Sequence, residues 1–345
     1  MDRPILFINE SGGGVRCGLC PHNCLIPDGG FGSCGVRGNK NGKGLIPFYG
    51  FITALALDPI EKKPLYHFRP GSTILSAGFA GCNLHCPFCQ NWRISQIAEA
   101  GIPGRQMRPE DLVSEALKQS DAIAYTYSEP LVHIEYLLDC MNLARKHGIA
   151  NVIVTNGCVN SEAAGEILSL TDAANIDLKC FSPETYKKTL CGNLETTLDF
   201  IRLAKEKGVF IEITTLVVPG LNDTDTELDS CADFIVSLGA EIPWHLSAYR
   251  PDFRWNAPHT DPEFLLRVKK RASGKLRYVY TGNISGGEND TVCSGCGAVP
   301  VRRFGYKTET DGLIPPAEGE KFFCCRRCGG KTDIVDLLYT GNNAH

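Results

Sequence analysis

Short apolar runs alternate with amphipathic stretches from about Thr73 to Thr281. The runs are rich in Val, Ile, Thr and Tyr, which favours β-strands. Seven strands are predicted: Thr73–Ala77, Ala122–Tyr127, Asn151–Thr155, Ala174–Leu178, Val209–Val217, Trp244–Ala248 and Arg277–Thr281. The spacing of apolar residues predicts helices between the strands, and Pro at the start or Gly after the end marks their bounds. The predicted helices are Pro109–Gln119, Val132–Lys146, a helix through Leu194, Leu198 and Ile201, Asp225–Leu238 and Pro262–Ala272.

Repeated strand–helix units predict a parallel sheet, because right-handed crossovers return the chain to the same edge each time. Six or seven units indicate a partial α/β barrel of the (β/α)6 type, which we place at residues 51–284. In such barrels the chemistry lies where the strands end. Polar residues follow several of the predicted strands: Ser128-Glu129-Pro130, Asn156-Gly157, Asp177 to Lys179, Pro219 to Asp223 and Gly282-Asn283.

Cysteine is the residue type that changes this picture. The chain has 345 residues, 17 cysteines and a formal net charge of −4. This balance does not support a general nucleic-acid binder, which needs a basic surface. No apolar run is long enough to span a bilayer, and Met1–Ile8 is too short for a signal peptide. We therefore expect a cytoplasmic protein with no membrane partner, whose clustered cysteines bind metal rather than form disulfides.

The central cysteines, Cys82, Cys86 and Cys89, form a C-x3-C-x2-C loop after the first predicted strand. Three thiolates can ligate three irons of a [4Fe–4S] cluster and leave the fourth iron open. Ordinary ferredoxin spacing supplies four ligands, and structural zinc would need a fourth from His85 or elsewhere. The spacing in its strand-to-loop context therefore favours a cluster with one open iron.

Two more cysteine groups flank the predicted barrel. The N-terminal segment, residues 1–50, carries four thiols that suit either zinc or an auxiliary Fe–S cluster, with a metal-free segment as the alternative: Cys17, Cys20, Cys24 and Cys34. A C-terminal module, residues 285–345, starts with a predicted linker at Ser285–Asp290. It holds two C-x2-C pairs of the kind found in zinc ribbons: Cys293, Cys296, Cys325 and Cys328. The spacing leaves the role of Cys324 open.

The central motif resembles the signature of radical S-adenosylmethionine (SAM) enzymes, including the aromatic Phe88 just before the last cysteine. Some segments resemble the group related to pyruvate formate-lyase activating enzyme: Asp58–Leu65, Pro70-Gly71-Ser72 and Cys89–Trp92. Others are most similar to the radical enzymes of the AmmeMemoRadiSam system: Tyr125–Pro130, Pro243-Trp244-His245 and Val279–Asn283. The resemblance extends over nearly the whole chain.

The resemblance implies an enzyme whose [4Fe–4S] cluster binds SAM, donates one electron and releases a 5′-deoxyadenosyl radical. That radical abstracts hydrogen from a substrate. The family commonly carries Gly-Gly-Glu-Pro where this chain has Tyr127-Ser128-Glu129-Pro130, so the backbone contact of Ser128 departs from the pattern. The resemblance implies that Glu129 accepts hydrogen bonds from the methionine ammonium of SAM and that Phe88 brackets the adenine.

Further cofactor contacts are implied at the other strand ends. Thr155 and Asn156 would touch the ribose, Lys179 beside Asp177 would meet a carboxylate, and His245, placed after the sixth strand, would also contact the ribose. Each has a structural alternative. Glu129 could be the charge at a helix start, Asp177 and Lys179 an ion pair at the barrel mouth, and His245 a buried histidine. Asn156-Gly157 could be a turn.

The resemblance implies a protein or peptide substrate, by analogy with the enzymes that install glycyl radicals. The same radical chemistry on a small metabolite or an RNA is the alternative. An Fe–S electron carrier or a zinc scaffold is the non-enzymatic alternative. The expected partners are an electron donor such as flavodoxin or ferredoxin and, from the second resemblance, AMMECR1-like and Memo-like proteins.

Overall fold

The structure is a computed structural model that describes residues 5–11, 14–97, 102–285 and 288–336. Met1–Pro4 of the signal-peptide argument, and residues 286 and 287 of the predicted linker, lie outside the described residues. Among the described helices, none has both the length and the apolar character that crossing a bilayer requires.

The N-terminal segment consists of short antiparallel pairs. The first three strands form one sheet in the order of the sequence, and the fourth and fifth form a hairpin. The sixth strand pairs with a two-residue strand later in the chain, Arg105–Gln106. The strands are β1 (Ile8–Ser11), β2 (Gly14–Cys17), β3 (Leu25–Ile26), β4 (Gly38–Lys40), β5 (Lys43–Leu45) and β6 (Phe51–Ile52). Turns separate these strands, as the Gly-rich composition favours.

An eight-stranded sheet follows, and its strands lie side by side in the order of the sequence. The first strand is antiparallel to the second, and the remaining neighbours pair in parallel. The sheet contains β7 (Ala54–Pro59), β8 (Thr73–Gly78), β10 (Ala122–Thr126), β11 (Ala150–Thr155), β12 (Ala173–Asp177), β13 (Phe210–Val217), β14 (Trp244–Ala248) and β15 (Val279–Gly282), with β9 (Arg105–Gln106) outside it. The predicted α/β partial barrel is confirmed.

Helices connect the parallel strands. They are α1 (Trp92–Ser95), α2 (Pro109–Gln119), α3 (Ile134–Lys146), α4 (Ser161–Leu168), α5 (Pro183–Lys188), α6 (Leu194–Glu206), α7 (Asp225–Leu238) and α8 (Pro262–Ala272). Caps explain where three of them start. The side chains of Asn193, Thr224 and Asp261 accept backbone hydrogen bonds from the first turns of α6, α7 and α8.

Several predicted boundaries are corrected. The helix predicted from Val132 starts at Ile134, because Pro130–His133 first forms a 3-10 turn. The last strand starts at Val279 rather than Arg277, whose amide donates to the carbonyl of Ala240 instead of joining the sheet. Strand β7 and the short helices α4 and α5 are absent from the prediction, since six to eight residues show little periodicity.

The C-terminal module covers the amino end of the barrel. Its strands are β16 (Arg302–Phe304), β17 (Lys307–Glu309), β18 (Leu313–Ile314), β19 (Phe322–Cys325) and β20 (Lys331–Val335). Val335 exchanges backbone hydrogen bonds with the loop before β8, at His67 and Arg69. Its side chain joins an apolar cluster with Phe68 and the first residues of the parallel strands. The carboxyl end of the barrel lies opposite, where the central cysteines are.

Candidate functional site

The three central thiols lie in the loop that follows β8. Cys86 is buried, while Cys82 and Cys89 are partly exposed. The amide of Leu84 donates to Cys82 Sγ at 3.3 Å, and Cys89 Sγ lies 3.2 Å from the hydroxyl of Ser95. Burial raises the pKa of Cys86 to about 12, although Lys179 lowers it. The thiol therefore needs a metal to become a thiolate at neutral pH.

The number of thiols in this loop suits a cluster better than a single zinc ion, which takes four protein ligands in structural sites. Among the described residues, only the C-terminal cysteines bring three or more ligand atoms within 4.8 Å of one another. Cys82, Cys86 and Cys89 do not meet that limit, although each acts electrostatically on its neighbours. A [4Fe–4S] cluster takes one thiolate per iron, so three thiolates leave one iron open. The donor set therefore fits a cluster with three protein ligands.

Glu129 follows β10 and is buried. Its carboxylate accepts hydrogen bonds from Thr155 Oγ1 at 2.6 Å, the amide of Asn156 at 2.8 Å and the amide of Leu131 at 3.1 Å. Burial raises the pKa of Glu129 to about 7, even though these hydrogen bonds lower it. The carboxylate caps the turn at Leu131 and ties the end of β11 to that of β10. Its contact with the methionine ammonium stays a prediction.

Asn156 joins this strand end to the thiol loop. Its side-chain amide donates to Asn83 Oδ1 at 2.9 Å and lies 3.7 Å from Cys82 Sγ. Gly157 has φ +64°, and a Cβ there would come within 2.9 Å of Phe200. The turn alternative for Asn156-Gly157 therefore has structural support, and the same turn directs Asn156 toward the sulfur.

Asp177 ends β12, and its carboxylate lies 2.6 Å from Lys179 Nζ. Burial alone would lower the pKa of Lys179, but Asp177 and the thiolate of Cys86 raise it above its ordinary value. The ion pair expected as the structural alternative is present. It also places a cation near Cys86 and Cys89, which suits an anionic cluster or a carboxylate.

Ser128 and Phe88 both lie close to the barrel wall. The Ser128 hydroxyl donates to the carbonyl of Phe79 at 2.7 Å, and Phe88 is buried. Before Ser128, Tyr127 has φ +71°, in the left-handed region that favours glycine. This explains the glycine that related motifs carry there, and it costs a tyrosine about 1–2 kcal/mol.

His245 lies away from the other candidates. The prediction placed it after the sixth strand, but it is the second residue of β14. Its Nε2 lies 2.6 Å from Glu212 Oε2, and its ring packs edge-on against Tyr66, in the loop before β8. His245 therefore belongs to the amino half of the barrel. Its contact with the ribose stays a prediction, and the contacts described here join it to Glu212 and Tyr66 rather than to the other candidate residues.

The structure contains a buried charge cluster inside the barrel that the sequence analysis did not predict. Asp58 accepts hydrogen bonds from Lys62 at 2.7 Å, from Lys63 at 2.8 Å and from the Tyr127 hydroxyl. Burial would raise the pKa of Asp58, but these three partners hold it well below its ordinary value. The ammonium of Lys63 also lies 4.2 Å from the centre of the Tyr127 ring. The sequence feature that could have pointed to this cluster is the Asp58–Leu65 segment, which resembles the activating enzymes but was given no role.

The four C-terminal thiols form a compact group. Their sulfurs lie within 4.8 Å of one another, with Cys293 and Cys328 at 3.9 Å and Cys296 and Cys325 at 3.7 Å. Tetrahedral zinc with bonds of about 2.3 Å separates its sulfurs by just under 4 Å, so the group fits a single ion. Cys324 lies outside it.

The four N-terminal thiols do not form such a group, because no three of their sulfurs lie within 4.8 Å of one another. Cys17, Cys20 and Cys34 are buried and Cys24 is half-buried. The backbone of this segment approaches the central loop, since a Cβ at Gly81 would come within 2.5 Å of the carbonyl oxygen of Cys34.

The chain matches the Radical SAM superfamily over residues 78–232. A protein of Methanocaldococcus jannaschii, named only as uncharacterized, is 39% identical over 326 residues, covering 93% of this chain and 96% of that protein. Pyruvate formate-lyase 1-activating enzyme of Escherichia coli K12 is 26% identical over 170 residues, covering 47% and 68%. The crystal structure of a domain of the pyruvate-formate lyase-activating enzyme from Bacteroides vulgatus gives a TM-score of 0.41 at 20% identity, covering 46% and 98%.

Proposed function

The chain belongs to the Radical SAM superfamily, and on that basis we propose that it cleaves SAM reductively to generate a 5′-deoxyadenosyl radical. Membership implies an enzyme with a [4Fe–4S] cluster and SAM. The observation that carries the proposal is the loop after β8. It presents three thiols in a C-x3-C-x2-C pattern, each near a hydrogen-bond donor or a cation.

Cys82, Cys86 and Cys89 would hold the cluster, which supplies one electron to SAM when bound. The residues around it have distinct tasks. Lys179 offsets negative charge at Cys86, and Asp177 orients that cation. Glu129 fixes the ends of β10 and β11 relative to each other, so that Asn156 points at Cys82. Phe79 and Phe88, both buried, exclude water from the base of the loop.

We propose a protein or peptide as the substrate, as in glycyl-radical activation. The similarity to pyruvate formate-lyase 1-activating enzyme over 170 residues supports this class. The same radical chemistry on a small metabolite or an RNA is the second candidate. Partnership with AMMECR1-like and Memo-like proteins stays a prediction of the resemblance.

We also propose zinc for the C-terminal thiols. Their number and spacing support it, since four sulfurs lie within 4.8 Å of one another. The ion would stabilise the module that covers the amino end of the barrel.

The test is the formation of 5′-deoxyadenosine by anaerobically reconstituted protein with SAM and dithionite. Wild-type protein and Cys231→Ala, a buried cysteine in α7 outside the site, are expected to form it at similar rates. Cys86→Ala is expected to form none above background. Equal product from Cys86→Ala, or none from the reconstituted wild type, would refute the proposal. Deuterated peptides and metabolites then identify the substrate class by deuterium in the product.

A further inference from the structure

Alternate residues of strand β13 face the interior of the barrel. The carboxylate of Glu212 accepts hydrogen bonds from the amides of Tyr66 and His67, in the loop that packs into the amino end of the barrel. Thr214 lies two residues later on the same strand. Because successive side chains of a strand point to opposite faces, Thr214 shares the interior face with Glu212.

Two buried polar atoms on this face have no partner among the described residues. Thr214 is 7% exposed, and its hydroxyl makes no hydrogen bond. On strand β12, Asn175 is 1% exposed and donates to the carbonyl of Pro64 at 2.8 Å, but its side-chain oxygen receives no donor. The register sets Asn175 beside Glu212 and Thr214 beside Asp177, so both share one face. A buried polar atom without a partner is destabilising, and proteins satisfy nearly all of them.

The next residue of β13 shows how the fold satisfies a threonine by itself. The hydroxyl of Thr215 donates to the carbonyl of Leu178 at 2.9 Å and accepts from Nε1 of Trp244 at 3.0 Å. Trp244 is fully buried in the main apolar core. Two adjacent threonines therefore differ, since the fold supplies the partners of Thr215 and supplies none to the hydroxyl of Thr214 in the described part of the chain.

The interior is open just above Thr214, toward the carboxyl end of the barrel. Leu216, the next interior residue of β13, lies beside Ser247 of β14, which lies beside Gly282 of β15. These three residues are partly exposed, whereas Thr214 is buried. A ligand that enters through the mouth of the barrel therefore reaches Thr214 before it meets the closed amino end.

The chain itself fills the opposite side of the interior. The ring of Tyr127 lies over Gly78, where a Cβ would come within 2.8 Å of Tyr127 Cδ2. Its hydroxyl donates to Asp58, and the ammonium of Lys63 lies 4.2 Å from the ring centre. Tyr127 keeps this position although its φ of +71° is unfavourable for tyrosine. The ring narrows the interior beside β7 and β8, which directs a ligand toward β12 and β13.

The carboxylates of the interior are already matched by cations. The pairs are Asp58 with Lys63 at 2.8 Å, Asp177 with Lys179 at 2.6 Å, and Glu212 with Arg303, which bind the amide and the carbonyl of Tyr66. A charged ligand would be buried here without a counter-charge, which is strongly unfavourable. The side-chain oxygen of Asn175 can only accept a hydrogen bond, whereas the hydroxyl of Thr214 can donate one. An uncharged amide matches both atoms.

We propose that Asn175 and Thr214 form a subsite inside the barrel that binds an uncharged amide group of the substrate. The side-chain oxygen of Asn175 accepts a hydrogen bond from the N–H of that amide, and the hydroxyl of Thr214 donates to its oxygen. The subsite stands on the two unpartnered side chains, and its role in binding substrate rests on the proposed function. A polypeptide and a small metabolite can both present such an amide, and the experiment separates these sources.

The first experiment compares three probes of similar size but different charge, using saturation-transfer NMR on the reconstituted protein with SAM. N-acetylglycinamide is uncharged, N-acetylglycine is an anion and glycinamide is a cation. The uncharged probe should bind, and each charged probe should bind about tenfold more weakly or less. Binding of a charged probe as tight as that of N-acetylglycinamide, or no binding of any probe, would overturn the subsite.

The same substitution at two adjacent residues tests which atoms bind the probe. Thr214→Val keeps the shape and removes the unpartnered hydroxyl, so N-acetylglycinamide should bind about tenfold more weakly while the urea midpoint stays equal or rises. Thr215→Val is the matched control, which should lower the urea midpoint and leave the affinity for the probe unchanged. If Thr214→Val lowered the midpoint as much as Thr215→Val does, or kept full affinity, its hydroxyl would serve a structural water only, and the subsite would be overturned.

A longer probe identifies the source of the amide. An acetylated and amidated glycine–serine hexapeptide should bind about tenfold more tightly than N-acetylglycinamide if the source is a polypeptide, and equally if it is a small molecule. Binding that depends on Thr214, in a protein that forms no 5′-deoxyadenosine, would contradict the proposed function and leave the subsite standing. Cleavage of SAM by a protein that binds no probe would overturn the subsite alone.

Discussion

The two ends of the barrel both bury polar and charged side chains, but they satisfy them differently. At the amino end, the carboxylate of Glu212 accepts hydrogen bonds from the amides of Tyr66 and His67, and His245 Nε2 lies 2.6 Å away. At the carboxyl end, the amide and cationic groups of Asn156 and Lys179 lie beside thiol sulfurs. Buried polar side chains that bind one another stabilise the fold. Buried polar side chains that lie beside cysteine sulfurs are placed to stabilise a group bound by those sulfurs.

The largest effect on stability should come from Glu212→Leu. The substitution removes the buried acceptor and leaves its donors without a partner, which should lower the free energy of unfolding by about 3–5 kcal/mol. Urea denaturation measures it. SAM cleavage per folded molecule should change little, because Glu212 lies at the amino end. A large loss of cleavage with normal stability would break the distinction between the two ends.

At the carboxyl end, Lys179→Met should lower SAM cleavage by about 10–100-fold, because it removes the cation beside Cys86. The 5′-deoxyadenosine assay measures this loss. The double variant Asp177→Asn/Lys179→Met is the control, since it avoids leaving the Asp177 carboxylate unpaired. If the double variant recovered full cleavage, the loss in Lys179→Met would come from the unpaired Asp177 carboxylate. Lys179 would then have no role as a cation in cleavage.

One buried histidine at each end should make stability depend on pH. Burial lowers the pKa of both His67 and His133 from 6.5 to about 4. As the pH falls from 6.5 to 4, the unfolded chain binds protons that the folded chain does not, so stability falls. Each histidine should contribute roughly 1–3 kcal/mol to this loss.

His133→Gln isolates one of these contributions, since glutamine can still donate to the carbonyl of Ala80, 2.6 Å from His133 Nε2. Urea denaturation at pH 7 and pH 5 should show a smaller drop for the variant than for the wild type. Burial raises the pKa of Glu129 to about 7, which acts in the opposite sense, but it is common to both proteins. An identical drop in the two proteins would contradict the assignment.

The smallest effect should come from His245→Gln, which weakens one hydrogen bond to Glu212 and should cost about 1 kcal/mol. Equilibrium binding of SAM should be unchanged, because the ring lies against Tyr66 and Tyr280. A clear loss of SAM affinity at normal stability would favour the predicted ribose contact.

The sequence was sufficient for the elements whose signals are local. Strand β14 and helices α2, α7 and α8 have the predicted bounds, since alternation, Pro at the first helical position and capping side chains act within a few residues. The three cysteine groups were also visible as spacings. Short helices such as α4 were missed because they hold barely two turns.

Contacts between distant segments could not be predicted. The hydrogen bond from Tyr127 to Asp58 and the one between Ser33 and His85 depend on tertiary packing. His245 was misplaced although its strand was predicted correctly: it is the second residue of Trp244–Ala248, so it lies inside the barrel beside Glu212 and does not follow the strand end. The metal of the N-terminal group was open because it depends on distances between sulfurs.

The backbone pairing of Val335 with the loop at His67 and Arg69 has a consequence for biosynthesis. The ribosome produces the N-terminal and central cysteines early, but the strand that closes the amino end of the barrel appears only near residue 335. Until then, Phe68 and its apolar neighbours lack part of their cover. Newly made chains should therefore depend on chaperones until β20 emerges, and truncation before β20 should yield aggregating protein whatever iron the cell supplies.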